Sequence, residues 1–263
     1  MQSLKEYQGF PVNLKDISRI FMLVHTNMTS NSELLSESGF GDNKVRGMLE
    51  YLKDFKLLKD KKTLSELGTL VYKNDRLFSE NFTKWIILYH WSKLENNPIL
   101  HYLINEFTGG KEIETIKENF IYWANKFQIK TDYDKNFIGS LLNKTVNSLV
   151  DSDTDAFRNL NLFFKNQDKI IRAEPYGLHP IFLGYIIYEN RNARTSIGFD
   201  ELLNEVGNIG TFFGLNSKEL DSKIVEMENI GIIRMVQHAD LHMVEFIYQG
   251  SALSLLEKFY DEN

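Results

Sequence analysis

Residues 39–54 read Gly39-Phe-Gly-Asp-Asn-Lys-Val-Arg-Gly-Met-Leu-Glu-Tyr-Leu-Lys-Asp54. The two glycines break the chain, Asp42 or Asn43 can cap a new helix, and Val45, Met48, Leu49, Leu52 and Phe55 fall on one face of it. Upstream, Ile17, Ile20, Phe21 and Val24 recur at i, i+3, i+4, i+7, and Ser30 with Glu33 forms a capping box for a short helix through Leu34 and Leu35. Downstream, Leu57-Leu58, a polar tip at 59–62 and Thr63-Leu64 suggest a small hairpin, and Leu64-Ser-Glu-Leu-Gly68 opens another helix. Three short helices followed by a polar-tipped hairpin predict a winged helix-turn-helix over residues 1–76.

From 77 to 192 the pattern predicts a helical middle domain, with helices at 80–94, 98–107, 112–128, 134–150 and 178–189 and a short strand at 168–174. Pro98 suits a helix start and Gly109-Gly110 a break. Residues 193–263 repeat the first pattern in outline. A helix at 200–206 leads into a glycine-punctuated turn at 207–214, and Asn216 with Glu219 caps a helix carrying Leu220, Ile224 and Met227. A hairpin then turns at 238–241, and a final helix spans 251–260. The expected fold is mainly α with small β-hairpin wings: an N-terminal winged helix-turn-helix, a helical middle and a C-terminal winged-helix-like domain.

The composition of the 263 residues, 43% hydrophobic and 25% charged, is that of a globular protein with ample material for a core. The absence of cysteine excludes disulfides, thiol catalysis and cysteine-held metals. The N-terminus lacks the basic start and apolar run of a secretory signal, and the apolar run Trp85–Trp91 is too short to span a membrane. A cytoplasmic protein without membrane contact is expected.

A net charge of −6 argues against an overall nucleic-acid coat but not against one basic face. Residues 41–62 hold Lys44, Arg46, Lys53, Lys56, Lys59, Lys61 and Lys62 against Asp42, Glu50, Asp54 and Asp60. In a helix-turn-helix the second helix of the motif enters the major groove by its N-terminal residues. The candidate DNA-binding residues are therefore Asn43, Lys44, Arg46, Lys53, Lys59, Lys61 and Lys62. Solvation of an exposed helix, or protein docking, is the plainer alternative. DNA contact also requires Lys44 and Arg46 to be accessible and not neutralised by neighbouring carboxylates; otherwise an adaptor role replaces it. Over 216–230, by contrast, Lys218 and Lys223 face Glu219, Asp221, Glu226 and Glu228, so this helix would repel phosphates. It is expected to pack internally, form a homodimer or meet a partner.

No GxxxxGK[ST] loop, strand-linked GxGxxG, GxSxG elbow or HExxH is present. His238 and His242 have helical metal-ligand spacing but span a predicted hairpin tip. Asp221-Ser222-Lys223 matches a nuclease pattern at chance frequency and lies on a helix. Asp151, Asp153 and Asp155 lack the remainder of a calcium loop. Trp85, His90 and Trp91 suit a base-stacking platform less well than a core, and Tyr176 with His179 suits a turn before a helix. No catalytic residue, metal ligand or cofactor is assigned.

The stretch 39–46 resembles the bacterial domain-of-unknown-function 4007 family, whose early motif runs roughly GVGKNMVRSIRYW. Gly39, Gly41, Asn43, Val45 and Arg46 match it. Similarity continues through LSELG at 64–68, Trp85 with His90-Trp91, His179-Pro-x-Phe182 and Phe199-Asp-Glu-Leu-Leu203, covering about residues 10–250. Asp42 and Lys44 depart from the family's usual lysine and methionine, which moves the positive charge by two positions. The resemblance implies a genetic setting beside phosphoadenosine-phosphosulfate-reductase-like enzymes, associated with DNA phosphorothioation and phage defence, in which some related proteins nick DNA. No nuclease motif carries over.

These readings lead to an expected DNA-binding accessory protein of such a modification or defence system. It would bind double-stranded DNA and meet sulfur-transfer or ATPase proteins. A metal-dependent nicking endonuclease and a protein-only adaptor are the alternatives.

Overall fold

The computed structural model describes every residue except 1, 2, 27, 29, 61, 132, 152–155, 175, 176, 239, 240 and 263, and only the backbone at 237, 238 and 241. The chain is mainly helical with two small antiparallel three-stranded sheets. It divides into two units, Met1–Ala173 and Glu174–Asn263.

The first unit begins with α1 (Leu14–His25), capped by Asn13, and buries Leu14, Ile17, Ile20, Phe21 and Val24. The capping box of Ser30 and Glu33 starts α2 (Asn31–Ser38), which ends at Gly39 with φ +67°. That left-handed residue reverses the chain into α3 (Asp42–Asp54), whose N-cap Gly41 provides no side-chain hydrogen bond. The expected hairpin after α3 is reduced to a single bridge, Leu58 to Leu64, before α4 (Glu66–Asp75). Gly68 of α4 lies so close to the Leu57 carbonyl that a Cβ would collide with it.

Next come α5 (Asn81–Trp91), α6 (Pro98–Asn105), the two-residue β1 (Lys111–Glu112), α7 (Ile113–Lys126) and α8 (Lys135–Val150). Residues 82–91 of α5 are all buried, so this helix forms the unit's central rod. Trp91 lies 5.8 Å from Tyr51, 6.0 Å from Phe55 and 5.7 Å from Phe157 between ring centroids. The first three helices and the helical middle therefore share one core.

A strand over residues 168–174 is present as β3 (Lys169–Arg172), paired with β2 (Phe163–Asn166) and β1 in the order β1-β3-β2. The sequence reading omits β2 because its two-residue turn, Gln167-Asp168, lacks the usual glycine; Gln167 itself takes φ +53°.

The second unit contains α9 (Pro180–Asn190), β4 (Ser196–Gly198), α10 (Phe199–Asn204), α11 (Ile209–Phe213), α12 (Ser217–Asn229), β5 (Ile233–His238), β6 (Leu241–Phe246) and α13 (Ala252–Glu262). Its sheet order is β4-β6-β5. The glycine-punctuated stretch 207–214, expected as a turn, contains α11. Gly210 lies inside this helix because a Cβ there would strike the Leu203 carbonyl. Close approach, and not chain reversal, accounts for that glycine.

Among the described residues no helix is long and apolar enough to cross a membrane.

His90 is completely enclosed in α5, and burial, helped by Lys56 and Lys93, pushes its imidazole well below the usual value of 6.5. Burial also lowers His101, whose Nδ1 lies 3.0 Å from the Ser92 carbonyl. Both are bases with depressed folded-state pKa values, so their contribution to stability is present above the unfolded value and lost as pH falls through the folded one. The urea midpoint should decline as pH drops below about 6.5; a midpoint that stays constant down to about pH 5 contradicts neutral burial. Gly68→Ala should cost about 1–3 kcal/mol in the same measurement, because the Leu57 carbonyl cannot retreat without breaking its bond from the Ser65 amide.

Candidate nucleic-acid interface

Helix α3 owes its orientation to the N-terminal segment behind it. Tyr7 stacks on Tyr51 with centroids 3.8 Å apart, and its hydroxyl donates to Asp54 Oδ2 at 2.8 Å while accepting from Trp91 Nε1 at 2.8 Å. Lys5 Nζ pairs with Asp54 Oδ1 at 2.6 Å. A Cβ on Gly47 would come within 2.5 Å of the Tyr7 carbonyl oxygen, so only glycine lets this segment lie on the helix. Burial raises the Asp54 carboxyl, and Lys5 and the Tyr7 hydroxyl work against that rise. The sequence reading missed this network, since Lys5 and Asp54 are 49 residues apart.

Beside that covered strip, Asn43, Arg46 and Lys53 lie exposed on α3, on a line that also carries the half-buried Glu50, whose Oε1 accepts from Gln8 Nε2 at 3.4 Å. Their spacing of i, i+3, i+10 makes one stripe. Lys53 in the last turn also complements the helix dipole. Lys59 is exposed at the tip after α3. The tip is ordered by Asp60, whose Oδ1 accepts from the amides of Lys62 and Thr63 at 2.9 Å each. Those bonds hold its carboxyl below the usual range. Lys62 is half-buried, and its charge contributes to lowering Glu33 of α2, after that carboxylate's bonds from Ser30. Lys61 lies outside the described residues.

The two first-turn cations both have carboxylate partners. Lys44 Nζ is 2.7 Å from Asp16 Oδ2 of α1, with side chains 28% and 27% exposed, and stands 4.2 Å from the Phe40 ring centroid. Arg46 Nη2 is 2.7 Å from Asp42 Oδ2 one turn earlier, but these side chains are 57% and 42% exposed. The condition set for DNA contact is therefore not met as stated. The exposures separate the two cases: Lys44 is held by an acid and a ring across two helices, whereas an exposed i, i+4 pair is worth only about 0.3–0.5 kcal/mol and yields readily to another anion. Lys44 is best understood as a strut between α1 and α3.

Other candidates lie elsewhere. Trp85, His90 and Trp91 are buried in α5. His179 caps α9, its Nδ1 accepting from the Ile181 amide at 3.2 Å; Tyr176 is outside the described residues. His242 sits on β6 opposite Gln237 in a hairpin, with Asp240 outside the described residues and His238 described only by its backbone. Asp221, Ser222 and Lys223 lie on α12, where Lys223 is occupied by Glu226 at 2.8 Å. Asp153 and Asp155 also lie outside the described residues. Among the described residues, no group of three or more histidine, aspartate or glutamate side chains is arranged to hold a metal ion.

The chain is similar in fold to the magnesium ion-bound SspB crystal structure, with a TM-score of 0.81 at 14% identity over 99% of this chain and 88% of that one. A second SspB crystal structure gives a TM-score of 0.77, again at 14% identity and with the same coverage. At that identity the likeness is one of fold alone. No curated protein matches the chain. The model of a protein family described as "Protein of unknown function (DUF4007)" matches residues 7–260, and by that match over nearly its whole length the chain belongs to the DUF4007 family.

Proposed function

We propose that the protein is a DNA-binding accessory component of a bacterial DNA-modification system of the phosphorothioation type, or of a related phage-defence system. The observation that carries this is the exposed stripe Asn43, Arg46 and Lys53 on α3, continued by Lys59, in a protein of net charge −6. The order α1, α2, α3, bridge, α4 supports a winged helix-turn-helix with α3 as its groove-entering helix. In the second unit, α9, β4, α10–α12 and the β5–β6 hairpin support a second winged-helix-like domain. Asparagine and arginine suit adenine and guanine edges, and lysines suit phosphates. Lys44 is not part of this contact set; its ammonium is committed to Asp16. The modification setting, and with it sulfur-transfer or ATPase proteins as partners, rests on the family resemblance; the acidic α12 suits a protein surface better than phosphates.

The ion pairs of Lys44 and Arg46 favour a second reading, a protein-only adaptor. A nicking enzyme is the third. Magnesium is bound in one of the similar structures, but the described residues here gather no ligand set for it, so no catalytic step is derived.

Fluorescence anisotropy with a short duplex distinguishes DNA contact from the adaptor reading. The log–log salt dependence should have a slope near −4, as expected for about four to five neutralised phosphates. Arg46→Glu with Lys53→Glu should weaken binding on the order of 50-fold at ~0.1 M salt in a chain that still unfolds cooperatively, since the base-edge contact of Arg46 and the phosphate contact of Lys53 are both lost. Asp42→Asn, which releases Arg46, should strengthen it several-fold. No measurable duplex affinity at ~0.1 M salt, together with co-purification of a protein partner, selects the adaptor.

A further inference from the structure

We infer that Arg19 and Phe40 form a seat for a phosphodiester of the DNA backbone beside α3, a conclusion that rests on the DNA-binding reading and extends it to a residue outside the stripe. Arg19 projects from the exposed side of α1, and its Cζ lies 5.4 Å from the Phe40 ring centroid. Phe40 occupies the turn between Gly39 and Gly41, so the ring brings a cation from α1 to the point where the chain enters α3.

Arg19 differs from its two basic neighbours in what it touches. Lys44, on the same ring, is taken by Asp16, and Arg46 by Asp42. Arg19 has no carboxylate within ion-pair distance among the described residues; its one protein hydrogen bond runs from Nη2 to the Glu37 carbonyl at 3.3 Å. A guanidinium has five N–H donors, so four are left for an incoming acceptor. The face of a neutral ring and a neutral carbonyl orient the group without spending its charge. A cation held in place and not neutralised is suited to a bidentate phosphate contact, which arginine geometry favours.

The test is the salt dependence of duplex affinity for the full chain, alongside titration with inorganic phosphate. Arg19→Gln should weaken duplex binding about eightfold at ~0.1 M salt and reduce the log–log slope by about 0.9, the loss of one phosphate contact. Arg19→Lys should restore the slope, and Phe40→Leu should lower affinity while leaving the slope unchanged, because the charge remains and only its position is lost. Arg19 is exposed, so Tm should stay at the wild-type value. If the wild type binds duplex and Arg19→Gln keeps its slope, the seat is refuted and the DNA-binding reading survives. If the wild type does not bind duplex, both fall. Saturable binding of inorganic phosphate that Arg19→Gln removes, with duplex binding unaltered, assigns the residue to a free anion and overturns the proposal.

Discussion

Trp91 packs against Tyr51, Phe55 and Phe157 and donates its indole hydrogen to Tyr7, whose ring in turn lies flat on Tyr51. The orientation of α3 depends on this cluster. One side of the helix is sealed by aromatic rings, by the buried Asp54 and by a backbone segment lying on Gly47. Polar residues that remain on α3 must therefore face outward, and Asn43, Arg46 and Lys53 do so together. Apolar burial and one satisfied carboxylate set the geometry, and the surface chemistry is its consequence.

Electrostatics on that surface is set by which local pairs its cations make. Lys44 links α1 to α3 through Asp16 and the Phe40 ring, a role that stabilises the helix pair and takes one charge out of the exposed set. Arg46 and Asp42 form a pair weak enough to open. Arg19 is held by groups that leave its charge intact. The chain thus carries three cations around one glycine-flanked turn with three different availabilities, and a charge count over 41–62 treats the two inside that window alike and omits the third.

Much of the fold was legible in the sequence because it rests on local signals. The Ser30–Glu33 and Asn216–Glu219 capping boxes, Pro98, and the apolar spacings of α1 and α3 each act within one or two turns and reappear in the structure. Elements that depend on distant packing were not legible. The β2–β3 hairpin turns without glycine, β1 and β4 are two and three residues long, and Gly210 marks a tight helix contact. The candidate site divides in the same way. Exposure of Asn43, Arg46, Lys53 and Lys59 followed from helical spacing and tip polarity, whereas the partners Asp16 and Asp42 and the placement of Arg19 depend on how α1, the turn and α3 meet. Arg19 lies on the polar side of α1 opposite Ile17, Ile20 and Phe21, and that position was the one sequence signal available for it.

The most direct test of the central claim, that the turn and α3 are where this chain meets a polyanion, is hydrogen–deuterium exchange of the full protein with and without a short DNA duplex. Slowed exchange confined mainly to residues 39–62 and the adjoining part of α1 is the predicted result. Unchanged exchange there, or protection centred on the acidic α12, contradicts it.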